Sequence, residues 1–435
     1  MIRLLLACLA MGSVWAAAEN TTVSSVTLKD ALRTAEERSP RVQIAESARN
    51  ESYWRTVENR SVFLPTLTAN AQYLSDYKYV FTDINLNGNA VSFPGITPTT
   101  IYGLTAEYDL FDGFAGTNRW RSGSAFERAS SRELDWAKFE TECNVTLLFY
   151  RALAARSLRG VTEANLKTLE DHLHDVALLK RSGMSTNYDV LRVEVQVSEA
   201  RSELLNASDD IETASGRLAE SLGLDNVPET KGVLPELPPE LIDRLGPAAR
   251  RPDLAAMQER VEALRQQKLA ATAHWAPRVN LFGNYQYYNN RNDEFDDWKN
   301  FRNAYQIGVR LTWSLFEGGA AEARNREAIE KKVQNEKALR MAELKAAQDV
   351  ALWKRKYHYF YSVYKSRQSD IGKAKESVRL AKEGRRVGSR TNSDLLDAET
   401  DLNRAQAGAI HAQLGVIEAL INLELATGQS LYEFN

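Results

Sequence analysis

Two periods alternate along this chain. Apolar or small residues recur at Val190, Val193, Val197, Ala200, Leu204, Ala207, Ile211, Ala214 and Leu218, a 3,4 spacing that marks the seam of a coiled-coil helix. The same spacing passes through Leu395, Ala398, Leu402, Ala405, Ala409, Ala412, Val416, Ala419 and Leu423, where the alanines permit close helix approach. It recurs from Trp136 through Cys143 and Tyr150 to Val161, and from Val350 through Tyr357 and Tyr364 to Ala381. Four long helices are predicted. No proline falls between Thr99 and Val227 or after Pro277, so nothing breaks them. The stretches from about Phe114 to Lys180 and Gly319 to Glu383 hold roughly 65 residues each, on the order of 100 Å of helix. An ordinary globular core is shorter than that.

Elsewhere the period drops to two. Leu67, Ala69, Ala71, Tyr73, Tyr77 and Tyr79 alternate with Thr68, Asn70, Gln72, Asp76 and Lys78, and read as one strand. Its predicted partner sets Tyr102, Leu104, Ala106, Tyr108 and Leu110 against Gly103, Thr105, Glu107 and Asp109. Later, Val279, Leu281, Tyr285 and Tyr287 alternate with Asn280, Asn284 and Gln286, and Tyr305, Ile307, Val309, Leu311 and Trp313 with Gln306, Gly308, Arg310 and Thr312. Each strand has the length that a tilted strand needs to cross a bilayer, with Tyr and Trp toward the ends. Periodicity alone equally fits a soluble antiparallel sheet packed on helices.

The chain repeats itself. Leu110-Phe111-Asp112-Gly113 returns as Leu315-Phe316-Glu317-Gly318, Thr186-Asn187 as Thr391-Asn392, and Gly223 as Gly428, each pair 205 residues apart. Pro65 and Pro277 are 212 apart, so the segment from Pro65 to Leu110 is seven residues longer than that from Pro277 to Leu315. The predicted organisation has a first repeat over 19–227, with a strand hairpin at 66–110 and a helix-hairpin tip at 181–189. Six prolines crowd the 25 residues from Pro228 to Pro252, which reads as an irregular linker over 228–250. A second repeat covers 251–428, with a strand hairpin at 278–315 and a tip at 384–394, and 429–435 form a tail.

Residues 1–18 place Arg3 before an apolar stretch and end in Ala16-Ala17-Ala18, the layout of a cleavable export signal. Cleavage before Glu19 leaves Cys143 as the mature chain's cysteine, so no intrachain disulfide is expected; lipidation at Cys8 is the lesser alternative. Lys and Arg total 55 against 58 Asp and Glu, which removes the case for a basic nucleic-acid surface. No later apolar run approaches the roughly 18 residues of a membrane-crossing helix. Export then favours an outer-membrane setting for the strands. There, every backbone N–H and C=O needs a partner, so a sheet with two open edges must be completed by further copies. Two copies give about 8 strands and a filled interior; three give about 12 and a solvent-wide lumen, lined by residues such as Glu107 and Arg310.

Catalytic chemistry has no foothold here. The sequence lacks a Gly-rich phosphate loop, a His-Glu-x-x-His motif, a cysteine pair and a Gly-x-Ser-x-Gly elbow. No cofactor, metal site or enzymatic activity is expected. Asp171-His172-Leu173-His174 is the one histidine cluster, and its i, i+2 spacing reads as surface decoration.

Several segments together carry a family resemblance: Val26-Thr27-Leu28-Lys29-Asp30-Ala31-Leu32 with Ser39-Pro40, the junctions Leu64-Pro65 and Ala276-Pro277, Arg250-Arg251-Pro252-Asp253-Leu254, and the two strand-to-helix turns above. In order and duplicated, they resemble the TolC-like outer-membrane efflux family across the whole mature chain. The resemblance implies a mainly α protein with membrane β: a homotrimer with a β-barrel of about 12 strands in the outer membrane, continued by a helical tunnel into the periplasm. It implies an exit duct that passively conducts substrate in tripartite efflux or type I secretion, served by a periplasmic adaptor and an inner-membrane pump. It also implies docking at the tips, through Gly183 and Thr186 and through Gly388 and Thr391. Those residues equally suit a left-handed turn and a helix cap.

Lys375, Arg379, Lys382 and Arg386 share one helix face before the second tip, where relatives in the family often carry acidic residues. They fit either a solvated outer face or a cationic constriction at the gate. The competing function is an exported coiled-coil scaffold or adhesin with soluble hairpins. Cargo is not written in the sequence.

Overall fold

The computed structural model describes residues 25–74, 79–86, 88–96, 100–226, 228–244, 251–289 and 298–434. The predicted export signal and Cys8 lie outside them. A short strand β1 (Ser25–Val26) leads into helices α1 (Leu28–Arg38) and α2 (Pro40–Arg60), followed by strands β2 (Thr66–Tyr73), β3 (Tyr79–Leu86), β4 (Asn89–Ile96) and β5 (Thr100–Phe111). Helices α3 (Ala115–Arg181) and α4 (Asn187–Leu222), strand β6 (Glu229–Thr230) and helix α5 (Pro252–Thr272) come next. Strands β7 (Arg278–Asn289) and β8 (Arg302–Thr312) and helices α6 (Ala320–Arg386) and α7 (Asn392–Thr427) complete the order.

The long helices α3 and α6 have 67 residues each, and α4 and α7 have 36. At 1.5 Å per residue, α3 and α6 are about 100 Å long. Each begins after a glycine turn, and each returns through an antiparallel partner, α4 or α7. The seam positions Val190, Val193, Val197, Ala200, Ala207 and Leu218 of α4 are buried, as are Leu395, Ala398, Ala405, Ala409, Ala412, Val416, Ala419 and Leu423 of α7. Small residues set the spacing there. A Cβ on Gly415 would sit 2.7 Å from the Phe360 ring, so α7 lies against α6 only because that position is bare.

The main core forms where α1, α3, α4, α6 and α7 converge around Phe149, Tyr150, Leu218, Leu222, Tyr357, Ile417, Leu420 and Leu423. Between Cys143 and Ala154, α3 is buried on nearly every side, as expected of a helix threading a core. The Pro-rich segment is pinned onto the long helices. Arg156 donates to the Thr230 carbonyl at 2.8 Å, and the Tyr357 hydroxyl donates to the Pro238 carbonyl at 2.7 Å. This segment is less irregular than expected, because Glu229–Thr230 pairs in parallel with Ser25–Val26. By length and composition α7 could also cross a membrane, contrary to the sequence expectation, yet 61% of its apolar window is buried inside the molecule.

The larger sheet runs β2–β5–β7–β8, antiparallel throughout. Thr66 faces Glu107 and Tyr73 faces Thr100; Thr100 faces Asn289; Arg278 faces Thr312. A bulge between Asp109 and Phe111 shifts the register of β5 on β7, at the end where the strand turns into α3.

One strand prediction needs correction. The alternation from Leu67 to Tyr79 is not one strand: β2 stops at Tyr73, Tyr77 lies outside the described residues, and Tyr79 opens a separate hairpin, β3–β4. The cause is local. Gly88 turns with φ +87° between Leu86 and Asn89, which face each other, and Asn87-Gly88 is the dipeptide that favours a tight hairpin turn.

Candidate functional site: open sheet edges and helix tips

Strands β2 and β8 are the edges of the larger sheet, each paired on one side only. Alternation sends Ile307, Val309 and Leu311 of β8 to the same face, and they are 77%, 61% and 65% exposed. Leu67, Leu104, Leu281 and Tyr285 are exposed as well. Among the described residues, no helix covers this apolar face. Glu107 and Arg310 point to the polar side, which the alternation assigns to Thr105, Asp109, Asn280 and Gln306. Arg310 holds its guanidinium carbon 4.7 Å from the centre of the Phe282 ring, and Asn280 donates to Asp109 beside it.

At the other end of the long helices are the tips. Gly183 and Gly388 have φ +77° and +76°, the left-handed region that favours glycine. Nothing lies within 4 Å of a Cβ at either position, so conformation rather than space requires the glycine. Thr186 and Thr391 then cap α4 and α7 with reciprocal bonds. Asp189 N–H donates to Thr186 Oγ1 at 3.2 Å and Thr186 N–H to Asp189 Oδ2 at 2.9 Å; the second tip repeats this at 3.2 and 2.8 Å with Thr391 and Asp394. Bonds from Thr186 hold the Asp189 carboxyl below its ordinary 3.8, and bonds from Thr391 do the same for Asp394. Thr186→Ala or Thr391→Ala is expected to cost about 1 kcal/mol of helix stability each, read as faster amide hydrogen exchange over the first turn of α4 or α7.

Two of the four cations on the basic face before the second tip are compensated. Arg379 is held by Glu376 at 2.6 Å and Glu383 at 2.8 Å, and Lys382 reaches the buried Glu399 at 3.4 Å. Among the described residues, Lys375 and Arg386 are exposed without an ion-pair partner. Glu399, next to the seam residue Ala398, is a buried charge that the 3,4 spacing does not mark. Burial raises its carboxyl above the ordinary 4.5 against the pull of Lys382.

The histidine cluster also needs correction. His174 is exposed, but His172 is buried at 4% exposure and touches Arg385. An i, i+2 pair cannot share a helix face, and only one member needed an inward partner. Glu424 is a second buried acid that the sequence did not reveal. It accepts from the N–H groups of Leu431 and Tyr432 at 2.6 and 3.1 Å, fastening the C-terminal tail, and burial pushes its carboxyl up to about 7. Among the described residues, no three His, Cys, Asp or Glu side chains are grouped to hold a metal ion.

Exposed membrane-length strands joined to helices about 100 Å long match a known arrangement. The family model for outer membrane efflux proteins matches residues 31–224 and 248–429. This chain belongs to that family. The efflux protein is 22% identical over 421 residues to outer membrane protein TolC of Vibrio cholerae, covering 94% of this chain and 92% of the relative. It is 24% identical over 347 residues to the outer membrane efflux protein BepC of Brucella suis, covering 77% and 75%. Its fold matches the outer membrane protein VceC of Vibrio cholerae with a TM-score of 0.76 at 18% identity, covering 93% and 97% of the two chains. The Campylobacter jejuni CmeC outer membrane channel matches at 0.77 with 15% identity, covering 92% and 85%.

Proposed function

We propose that this efflux protein is one third of a passive exit duct in the outer membrane. The open-edged sheet carries this reading. A four-stranded sheet with an uncovered apolar face and two unpaired edges cannot stand in hydrocarbon as a single copy. Joining β8 of one protomer to β2 of the next removes every edge, and three copies make a barrel of about 12 strands with a wet lumen. Glu107 and Arg310 then line that lumen.

The helices supply a matching second seam. Tyr188, Leu191 and Val195 form an exposed stripe along α4, off the seam that packs on α3, and Met184 is exposed in the turn just before the helix. Leu380 and Val387 are exposed on and just beyond α6. These two faces close a helical tunnel between neighbouring copies, and the tunnel extends through the periplasm. A soluble scaffold or adhesin would leave both faces and the sheet's apolar side in water.

The tips around Gly183, Thr186, Gly388 and Thr391 meet a periplasmic adaptor, and an inner-membrane pump supplies the energy. The unpaired Lys375 and Arg386, with Arg379 and Lys382 beside them, set the charge preference at the narrow end. Gly388→Glu is expected to abolish transport while trimers persist in the membrane; unimpaired transport would remove the docking role. The purified protein in a planar lipid bilayer is expected to pass ions with discrete steps. Membranes that stay silent would refute the duct, and a cation-selective closed pore would refute the basic constriction.

A further inference from the structure

The Asp171-His172-Leu173-His174 segment has no part in the duct as described so far. His172 is buried on α3, in the first helical hairpin. Arg385, in the last turn of α6, places Nη1 3.2 Å from His172 Nδ1 and 3.2 Å from Asn392 Oδ1 at the start of α7. Its Nη2 donates to Asp175 Oδ2 at 3.1 Å. One guanidinium therefore ties α3 to both helices of the second hairpin. Because a guanidinium only donates, His172 Nδ1 must be the acceptor, and the neutral ring carries its proton on Nε2. That Nε2 has no hydrogen-bond partner among the described residues. A second proton would have to enter at Nδ1, where it would meet Arg385.

We propose that His172 is a proton-sensitive joint between the two helical hairpins of one protomer: protonation replaces the His172–Arg385 hydrogen bond by like-charge repulsion and separates α3 from α6 near the tips. The consequence for conduction rests on the duct reading, whereas the joint itself does not. The charged groups facing His172 are Asp175 on α3, Arg385 and Lys382 on α6, and Glu399 on α7 behind Lys382. From α4, Arg192 reaches Ser393 at 2.7 Å and Asp397 at 3.9 Å, both on α7.

Burial, then Arg385 and Lys382, hold the His172 ring below its ordinary 6.5, with Asp175 opposing. A depressed histidine leaves the joint at full strength above 6.5 and weakens it as pH falls from there through the lowered value. Glu399 has the opposite sign. Its raised carboxyl favours the packed state in acid, and that contribution is lost as pH rises through the raised value. The contacts differ, however: Glu399 meets Lys382 inside the second hairpin, while His172 acts across the two.

Spin labels at Arg181→Cys and Arg390→Cys, both exposed at the two tips, would read the separation of the tips in the full-length protein in lipid nanodiscs. Dilution with unlabelled protein restricts the signal to distances within one chain. Between about pH 7.5 and about pH 5, the histidine range, the tip distance is expected to lengthen. The separated-to-joined ratio can rise by at most about tenfold per pH unit for a single proton. Adding His172→Gln, whose amide oxygen can still accept from Arg385, should hold the short distance in acid; adding Glu399→Gln should keep the response. An unchanged distance in the labelled protein with native His172, or equal lengthening with His172→Gln, overturns the joint. Lengthening in a protein that conducts no ions supports the joint and counts against the duct.

Discussion

Ile307→Arg is expected to stop the efflux protein from assembling in the membrane, while Gln306→Arg, one residue earlier, is tolerated. The two positions are adjacent on β8 and therefore point to opposite sides of the sheet. Ile307 lies on the uncovered apolar face, 77% exposed. An arginine there would sit in hydrocarbon at a cost of about 2–4 kcal/mol near the bilayer midplane, multiplied over the copies of a closed barrel. Gln306 belongs to the polar row with Arg310, where another arginine meets water. Heat-modifiable oligomers in outer-membrane fractions provide the readout. Equal assembly of the two variants would show that the face assigned to lipid does not meet it.

Gly113→Ala is expected to be far more damaging than Gly318→Ala, although the two glycines occupy matching places in the repeated turns. Both take left-handed backbone angles, φ +69° and +63°, which cost a non-glycine residue about 1–2 kcal/mol. A Cβ on Gly113 would also lie 2.6 Å from Ala276 Cβ and 2.8 Å from the Ala273 carbonyl oxygen, whereas Gly318 has nothing within 4 Å. Overpacking against a backbone atom that cannot rotate away adds about 1–3 kcal/mol. Gly113→Ala should therefore lower the thermal midpoint well beyond Gly318→Ala, measured by loss of helical ellipticity. Equal shifts would mean that the junction of β5 with α3 is not clamped by the end of α5.

The difference between these glycines shows where sequence reading stops. Their left-handed turns were foreseeable from Leu-Phe-Asp-Gly and Leu-Phe-Glu-Gly, because glycine before a helical period has few other uses. The 3,4 seams were equally legible, since long helices bury one stripe and tolerate no proline. What surrounds each glycine depends on α5 meeting β5 through contacts more than 100 residues apart along the chain, and a local pattern carries no record of that. The β3–β4 hairpin was legible in Asn87-Gly88 but was overridden by an alternation of tyrosines that happened to continue.

His172, Glu399 and Glu424 were hidden for a different reason. Each is a single polar residue on a helix whose other positions set the period, and its partner lies outside that helix: Arg385 for His172, Lys382 for Glu399, and the backbone of Leu431 and Tyr432 for Glu424. The tip residues Gly183, Thr186, Gly388 and Thr391 were visible as turn and cap. The same residues serve that role whether or not a partner docks on them.

Native mass spectrometry of the full-length efflux protein, released from detergent with its β structure verified by circular dichroism, would count the copies directly. Three copies of the chain per particle are predicted, with no single-copy species retaining the sheet. A stable single copy with intact strands would contradict a barrel built by joining β8 of one chain to β2 of the next.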